Sequence, residues 1–466
     1  MISRRRFLQS SFTVALVPLL PRVAFSATLK VRQNWSTFCT TPMFQVYLNA
    51  ISLMKANTNA ADPSSWTYWV NVHKNFCPHS VAYFLAWHRG FLFRFEAQLR
   101  KVAGNTALTI PYWDYYTAPQ MPIEFTDTTS PLYIVNRAGT DVTNALSLNP
   151  FADTIVNFQR GMTNAFEPTL ESQPHNPVHN LIGGAMGAVT ISPKDPIFWV
   201  HHANIDRLWA AWYNAGNGRT MPDRTNSYWS GSFNYGAGVP TMARTWTISE
   251  SALGYQYEDE TMPTALPAPP PQQPAAVTLQ ALSSTPQGAL AMSLGGGQRL
   301  ALDERSVSIV VPLSEVDRNQ VRSLLLKQAA TNVRAPADNS LRVVLDGVRL
   351  TELGKKGGYF YKIYINLPAQ AGTSQPETKY LLGTLGSFEI TGMLNHEAMS
   401  GMPMAKASDG VQIAYPATDA LTRIAPGNLD RLTISFVRVD GSGRPAKGTV
   451  ITVREFRVET TNPTAR

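Results

Sequence analysis

The chain has 466 residues, of which 44% are hydrophobic and 10% aromatic, so it can bury a sizeable core and form two or three domains. This composition excludes a disordered or fibrous chain. The formal net charge of +8 comes partly from the first six residues, and no stripe of Lys and Arg interleaved with aromatic residues follows. The charge therefore does not indicate nucleic-acid binding.

Residues 1–27 have the parts of a cleavable export signal. Arginines at positions 4–6 precede an apolar run from about Phe12 to Leu20, and small residues follow that run. The run is shorter than the roughly 20 apolar residues that span a bilayer. We therefore predict a twin-arginine signal peptide, passage through the twin-arginine translocon, and a periplasmic or secreted protein without a stable membrane span. A basic helix on the membrane surface is the alternative.

Residues 28–263 are predicted to form a mainly α domain. Apolar residues recur there at helical spacing, as in Ser80–Val102 and Asp195–Asn214. Residues 264–276 are rich in proline, which lacks the backbone N–H that a helix or a central strand needs. We interpret this segment as an extended linker.

Residues 277–466 are predicted to form an all-β sandwich domain. Runs of β-branched residues alternate there with turns containing Gly, Asn and Asp. The predicted strands are Ser306–Leu313, Leu341–Leu350, Tyr359–Leu367, Ser387–Thr391, Arg431–Val439 and Val450–Val458.

Seven of the eight histidines fall in short clusters within the α domain. The clusters are His73, His79 and His88; His175 and His179; and His201 and His202. A four-residue spacing on a helix places two rings on one face, where both can bind one metal ion. Imidazoles without a carboxylate or thiolate in the ligand set suit copper, and zinc less well, so two sets of three predict a dinuclear copper site.

A single histidine is more often a core or surface residue than a ligand, and only the clustering favours a metal site. A zinc hydrolase is the weaker alternative, because no His-Glu-x-x-His string is present. Asp206 lies one helical turn after His202, and we expect it to accept the N–H of that ring.

Three strings carry a resemblance to a known family. They are CPHSVAYFLAWHRGFLFRFE from Cys77 to Glu96, LESQPHNPVHN from Leu170 to Asn180, and DPIFWVHHANIDRLW from Asp195 to Trp209. They resemble the copper-binding signatures of tyrosinases, catechol oxidases and molluscan-type haemocyanins. The order of domains is similar to that of plant polyphenol oxidases and some bacterial tyrosinases. The resemblance implies a four-helix bundle holding two copper ions.

The family's ligands, carried over string by string, imply a role for each histidine. His73, His79 and His88 would bind the first copper ion, and His175, His179 and His202 the second, while His201 would not bind. The implied reaction uses dioxygen to hydroxylate monophenols and to oxidise o-diphenols to o-quinones. A catechol oxidase or an o-aminophenol oxidase without hydroxylase activity is the alternative, and a haemocyanin-like dioxygen carrier is a weaker one.

Cys77 has three interpretations. Its position two residues before His79 resembles the spacing at which family members form a Cys–His thioether. In an oxidising compartment, a disulfide with Cys39 or a free buried thiol is the alternative.

Four further residues are expected to tune the reaction. The resemblance implies that Glu171 and Asn176 hold a water molecule that takes the phenol proton, although both could be ordinary polar residues. It also implies that Val189 leaves the entrance open where some catechol oxidases carry Phe. Phe198, like Phe84, lies four residues before a ligand and should form an apolar wall.

The C-terminal β domain of related enzymes covers the copper entrance. The string Gly386-Ser387-Phe388 in this chain resembles one in that family domain. We therefore expect the chain's own C-terminal domain to act as a lid that keeps the enzyme latent.

Overall fold

The computed structural model describes residues 29–268, 277–280, 293–329, 340–368, 378–399, 410–441 and 446–460. The predicted signal peptide and most of the predicted linker lie outside the described residues. Within the described part of the chain, no helix combines the length and the apolar character that a membrane crossing requires.

The N-terminal half of the described chain has a core of packed helices. They are α1 (Trp35–Phe38), α2 (Pro42–Ala56), α3 (Trp66–Phe76), α4 (Phe84–Ala103), α5 (Phe166–Leu170), α6 (Asn176–Ile182) and α7 (Ile197–Asn214). Helix α2 packs on α3 and α4, and α4 packs on α7. The predicted mainly α domain is confirmed.

Helix α4 begins later than its apolar pattern indicates. The prediction started it at Ser80, but Ser80 and Tyr83 have φ of 60° and 75°, which breaks the helix before Phe84. Gly104 ends the helix with φ of 59°, a conformation that glycine adopts without steric cost. His79 therefore lies in a loop between α3 and α4.

Two pairs of short strands accompany these helices, and one of them joins the beginning of this half to its end. β1 (Lys30–Arg32) pairs in parallel with β4 (Tyr255–Tyr257), and β2 (Ser232–Phe233) pairs with β3 (Met242–Ala243). The β1–β4 pair brings Arg32 beside α4 and α7, where it forms buried ion pairs with Glu96 and Asp206. These contacts fix α4 and α7 against one another behind the histidines.

The described residues of the C-terminal half form two β-sheets. Their strands are β5 (Val277–Gln280), β6 (Ser293–Leu302), β7 (Ser306–Pro312), β8 (Leu341–Leu350), β9 (Tyr359–Ile365), β10 (Leu381–Leu385), β11 (Val411–Pro416), β12 (Arg431–Asp440) and β13 (Ile451–Thr460). One sheet has the order β10-β9-β12-β7-β5 and the other β11-β8-β13-β6. Apolar residues of both sheets share one core. The predicted β domain is confirmed in this coarse sense.

Three α-helices interrupt the described part of the β domain, so the expectation of an all-β unit is wrong in detail. They are α8 (Glu315–Ala329), α9 (Ser387–Met399) and α10 (Thr418–Ile424). Helix α9 replaces the predicted strand Ser387–Thr391. Its buried face contains Phe388, Gly392 and Asn395 at helical spacing, and two of these residues are not hydrophobic, so the helical period was hidden.

Candidate metal centre

The first histidine cluster joins α3, the following loop and α4. His73 lies near the end of α3, His79 in the loop and His88 on α4, and each is buried. Their ring centroids lie 5.1 to 5.7 Å apart. Together with Cys77, they offer ligand atoms that all lie within 4.8 Å of one another.

The second cluster joins α6 and α7. His175 ends a wide turn, Glu171–His175, between α5 and α6, and His179 lies on α6 one turn later. Nε2 of His202 on α7 is 3.4 Å from Nε2 of His175 and 3.3 Å from Nε2 of His179. Three imidazoles thus converge on one point.

The two clusters adjoin each other. The rings of His88 and His202 stack with centroids 4.4 Å apart and planes 19° apart, and the rings of His79 and His175 are 6.0 Å apart. This proximity suits two metal ions in one site. It arises because α4 and α7 pack side by side.

Backbone carbonyls orient three of the six rings. Nδ1 lies 3.0 Å from the Val189 carbonyl in His73, 2.8 Å from that of Phe84 in His88, and 2.9 Å from that of Met186 in His179. A carbonyl only accepts, so each Nδ1 carries the hydrogen and leaves the Nε2 lone pair for a metal. Nδ1 of His175 lies 2.8 Å from Oδ1 of Asn176, which can act in the same way.

The six imidazoles fit a pair of copper ions. Burial lowers the pKa of each ring, that of His88 to about 3, so the rings are neutral and able to donate a lone pair. The buried Nε2 of His73 has no hydrogen-bond partner among the described residues, as expected of an atom reserved for a metal. Imidazole ligands suit copper.

His201 also lies with the second cluster. It is fully buried, it stacks on His175 at 5.3 Å, and its ligand atom falls within 4.8 Å of those of the other three histidines. Both of its ring nitrogens lack hydrogen-bond partners within the described ranges. The family resemblance implied that His201 does not bind copper, and this remains a prediction.

The expected contact between Asp206 and His202 is wrong. Asp206 accepts instead from Arg89 at 2.6 Å, Arg32 at 3.3 Å, Tyr255 at 2.5 Å and Tyr257 at 2.6 Å. Nδ1 of His202 has no partner in the described part of the chain. A buried carboxylate forms stronger hydrogen bonds with two guanidinium groups than with one neutral imidazole. Asp206 therefore connects α7 to α4 and β1 and does not orient the ring of His202.

The two cysteines are not joined. Cys39 and Cys77 are both free, so the alternative of a disulfide between them is wrong. Sγ of Cys39 donates to the Ser36 carbonyl at 3.4 Å. Sγ of Cys77 is buried, 3.1 Å from Nδ1 of His79 and 3.3 Å from Nε2 of His88.

Glu171 and Asn176 flank the second cluster, and both are buried. Oε1 of Glu171 accepts the backbone N–H of Ser80 at 2.7 Å, and Oε2 forms an ion pair with Arg160. Burial raises the pKa of Glu171, while Arg160 opposes that rise. The sequence singled out Glu171 but not Arg160, because nothing in their spacing indicates that the two residues meet.

Apolar rings enclose the histidines. Phe198 lies 4.1 Å from the His202 ring and 5.1 Å from that of His73, and Phe84 lies 4.6 Å from the His175 ring, centroid to centroid. Both contact the cluster as expected. Val189 is buried, and a Cβ on Gly392 of α9 would be 3.3 Å from its Cγ2, so α9 packs directly on Val189.

A residue of the C-terminal domain enters the site. The Phe388 ring on α9 lies 3.9 Å from the His179 ring, 5.3 Å from that of His79 and 5.5 Å from that of His175. Asn180 holds this segment, because its Oδ1 accepts the N–H of Phe388 at 2.9 Å. The Gly386-Ser387-Phe388 string marked the region, but sequence alone did not identify the covering ring.

Comparisons agree with this geometry. The family model described as the common central domain of tyrosinase matches residues 63–143 and 124–215, which contain both clusters. Tyrosinase HcTyr1 of a Hahella species is 36% identical over 214 residues, covering 35% of this chain and 46% of that protein. A chloroplastic polyphenol oxidase of Malus domestica is 25% identical over 381 residues, covering 69% of this chain and 62% of that protein.

Solved structures share the fold. Latent apple tyrosinase has a TM-score of 0.53 at 20% identity, covering 94% of this chain and 98% of that chain. A latent aurone synthase has a TM-score of 0.52 at 15% identity, covering 93% of this chain and 90% of that chain.

A helical core with adjoining buried histidine clusters and a C-terminal β domain defines a dicopper protein of the polyphenol oxidase fold. Residues 63–215 match the central domain of tyrosinase, and the chain is similar to a bacterial tyrosinase and to a plant polyphenol oxidase. It spans 46% and 62% of the lengths of the two curated relatives named above.

Proposed function

We propose that this chain is a tyrosinase that hydroxylates monophenols and oxidises o-diphenols to o-quinones with dioxygen. The observation that carries the proposal is the meeting of three-histidine clusters at one buried point, with His88 and His202 stacked at 4.4 Å. His73, His79 and His88 would hold one copper ion, and His175, His179 and His202 the other. When bound, the copper pair would supply the activation of dioxygen.

The protein's own groups would orient the substrate and move its proton. Phe84 and Phe198 pack against the histidines and would form the apolar walls of a slot for an aromatic ring. Glu171, with Asn176, would hold a water molecule and accept the phenol proton through it as a general base. Glu171 is suited to this because it is buried and yet paired with a cation.

Two features would complete the mature enzyme. The distance of 3.1 Å from Cys77 Sγ to Nδ1 of His79 supports a thioether between the two side chains that fixes this ligand. The position of Phe388 supports a latent state in which the C-terminal domain closes the slot.

A catechol oxidase is the second candidate. The observation in its favour is that both oxygens of Glu171 already have protein partners, Ser80 and Arg160, which limits its freedom to hold water. An oxidase without a functional base would accept o-diphenols, which ionise more readily, but not monophenols.

Quinone formation by the copper-loaded chain decides between the two. The intact chain and its Phe388→Ala variant are each given a monophenol and an o-diphenol, with His88→Ala as the negative control. We expect the Phe388→Ala variant to oxidise both. Oxidation of the diphenol alone would favour the catechol oxidase, and oxidation of neither would refute the enzyme proposal.

A further inference from the structure

Arg160 lies between two buried carboxyl groups. Its guanidinium pairs with Oε2 of Glu171, and its backbone N–H donates to Oε2 of Glu167 at 3.2 Å. The other oxygen of Glu171 accepts from Ser80, the residue after His79, at 2.7 Å. Glu171 is thereby held between Arg160 and the loop that carries a predicted copper ligand.

The two carboxyl groups have unequal partners. Glu167 accepts from the Tyr228 hydroxyl at 3.1 Å and the Leu85 N–H at 3.3 Å, and no guanidinium hydrogen bond to it is observed within the described residues. Dipoles compensate a buried charge less well than an adjacent cation does. Consistently, burial raises the pKa of Glu167 to about 7.

The other charged or titratable groups facing Glu171 do not favour its ionised form. Glu389 of α9 raises its pKa, and Glu171 in turn raises the pKa of Glu167 and of the Cys77 thiol. Burial acts in the same direction and is the largest cause, whereas Arg160 lowers the pKa of Glu171. Without Arg160, only the N–H of Ser80 would oppose the effects of burial and like charge on the pKa of this carboxyl group.

We propose that Arg160 is a positioning residue that keeps Glu171 ionised and fixed beside the copper site, while Glu167, which the Arg160 guanidinium does not bind, is the less readily ionised neighbour. The inference rests on the proposed role of Glu171 as the base in hydroxylation. Where one cation lies near two buried acids, it favours ionisation of the acid that its guanidinium binds, which here is Glu171. Arg160 thus determines whether the enzyme hydroxylates monophenols, without itself touching the substrate.

Infrared difference spectroscopy tests the charge assignment without any turnover. The spectrum of the Glu171→Gln variant is subtracted from that of the wild-type chain at pH 7, and that of the Arg160→Met/Glu171→Gln variant from that of Arg160→Met. We expect an ionised carboxylate band in the first difference and a protonated carboxyl band in the second. Arg160→Lys retains the cation and should give the first result.

Kinetics test the consequence in the Phe388→Ala background. General-base catalysis contributes about 10²–10⁴-fold, so Arg160→Met should lower kcat/KM for a monophenol by about tenfold or more at pH 7. This loss should be recovered as the pH rises and Glu171 ionises, whereas kcat/KM for a diphenol should stay within about twofold. Glu171→Gln should lose the monophenol activity at every pH.

An ionised Glu171 in the Arg160→Met chain, or a protonated Glu171 in the wild-type chain, would overturn the inference. Equal losses on monophenol and diphenol would also overturn it, because a general structural role would then suffice. If the parent chain oxidises diphenols but never hydroxylates monophenols, the proposed function fails instead. The infrared result still decides the role of Arg160 in that case.

Discussion

The Phe388 ring stacks on the His179 ring, with centroids 3.9 Å apart and planes 16° apart. It also meets the rings of His79 and His175 nearly edge-on, at 81° and 71°. One side chain of the C-terminal domain therefore contacts predicted ligands of both copper ions. An aromatic substrate that approaches these histidines would have to displace it.

Replacing Phe388 by alanine should open the site. In the proposed latent state the lid must open before substrate binds, so a tenfold larger open population would give about tenfold tighter apparent binding. We expect a rise of at least about tenfold in diphenol oxidation by the intact chain. Leu394→Ala is the matched control, since Leu394 lies on the same helix and is 41% exposed. Similar rates for Phe388→Ala and the wild-type chain would contradict the lid.

Asn180 connects the two domains through its hydrogen bonds to Phe388 and Glu389, which together are called the latch. Its Oδ1 accepts the Phe388 N–H at 2.9 Å, and its Nδ2 donates to Glu389 at 2.8 Å, so it caps α9 where Gly386 has no side chain to do so. A Cβ on Gly386 would lie 2.4 Å from the Asn180 amide. Gly386→Ala should therefore undock α9.

The undocking is measurable as faster proteolytic nicking of α9 and faster diphenol oxidation by the intact chain. Gly427→Ala is the matched control, because nothing lies within 4 Å of a Cβ built on Gly427. An unchanged nicking rate in Gly386→Ala would show that the segment is held by other contacts.

The latch should loosen as the pH rises. Burial raises the pKa of Glu389, which accepts from Asn180 and from Thr384. Between the ordinary pKa of a carboxyl group and this raised value, the docked state binds more protons than the open state, so increasing pH favours opening. Below that window the group is protonated in both states and docking is strongest.

Diphenol oxidation by the intact chain should thus increase with pH through this window more steeply than in Glu389→Gln. Phe388→Ala supplies the baseline for the chemistry itself, since its site is open at every pH. Identical pH profiles for the wild-type chain and Glu389→Gln would rule out this carboxyl group as the cause.

Sequence patterns predicted features that lie within one short segment, and they missed contacts between residues that are distant in the sequence. The histidine clusters were found because short strings and helical spacing carry them, and the order of a helical and a β domain followed from periodicity. The ring that covers His179 comes from a residue 209 positions later, and no local pattern indicates that pairing. Helix α9 was mistaken for a strand because its docking face uses Gly392 and Asn395.

Charge competition accounts for the remaining error. Asp206 has the right helical offset from His202, but Arg32 reaches it from β1 and Arg89 from α4. The spacing of two residues along one helix does not reveal which cationic side chains of other elements pack beside them in the folded protein. Arg160 was missed for the same reason.

The thioether predicts a covalent product that can be isolated. After copper loading in air, proteolysis should release a peptide in which Cys77 and His79 remain joined under conditions that reduce disulfides. Cys77→Ser should lack it and, since groups that orient a ligand are worth about 10- to 100-fold in metal affinity, should bind copper more weakly. Cys39→Ser is the control. A freely alkylated Cys77 in the loaded chain would contradict the cross-link.

Adjacent histidines on α7 offer the sharpest test of the ligand assignment. His202 directs Nε2 at two other imidazoles, 3.3 and 3.4 Å away, whereas His201 stacks flat against His175 at an interplanar angle of 24°. Loss of one of three ligands should abolish tight binding at that ion, so His202→Gln should lower the copper content from about two ions per chain to about one. His201→Gln should retain both ions.

Metal analysis after dialysis against a weak chelator measures the copper content of both variants directly. The thermal midpoint should also fall when an ion is lost, because bound metal stabilises the folded state. An equal loss in both variants would make His201 a fourth ligand of the second ion, which would explain why its ring nitrogens have no hydrogen-bond partner among the described residues.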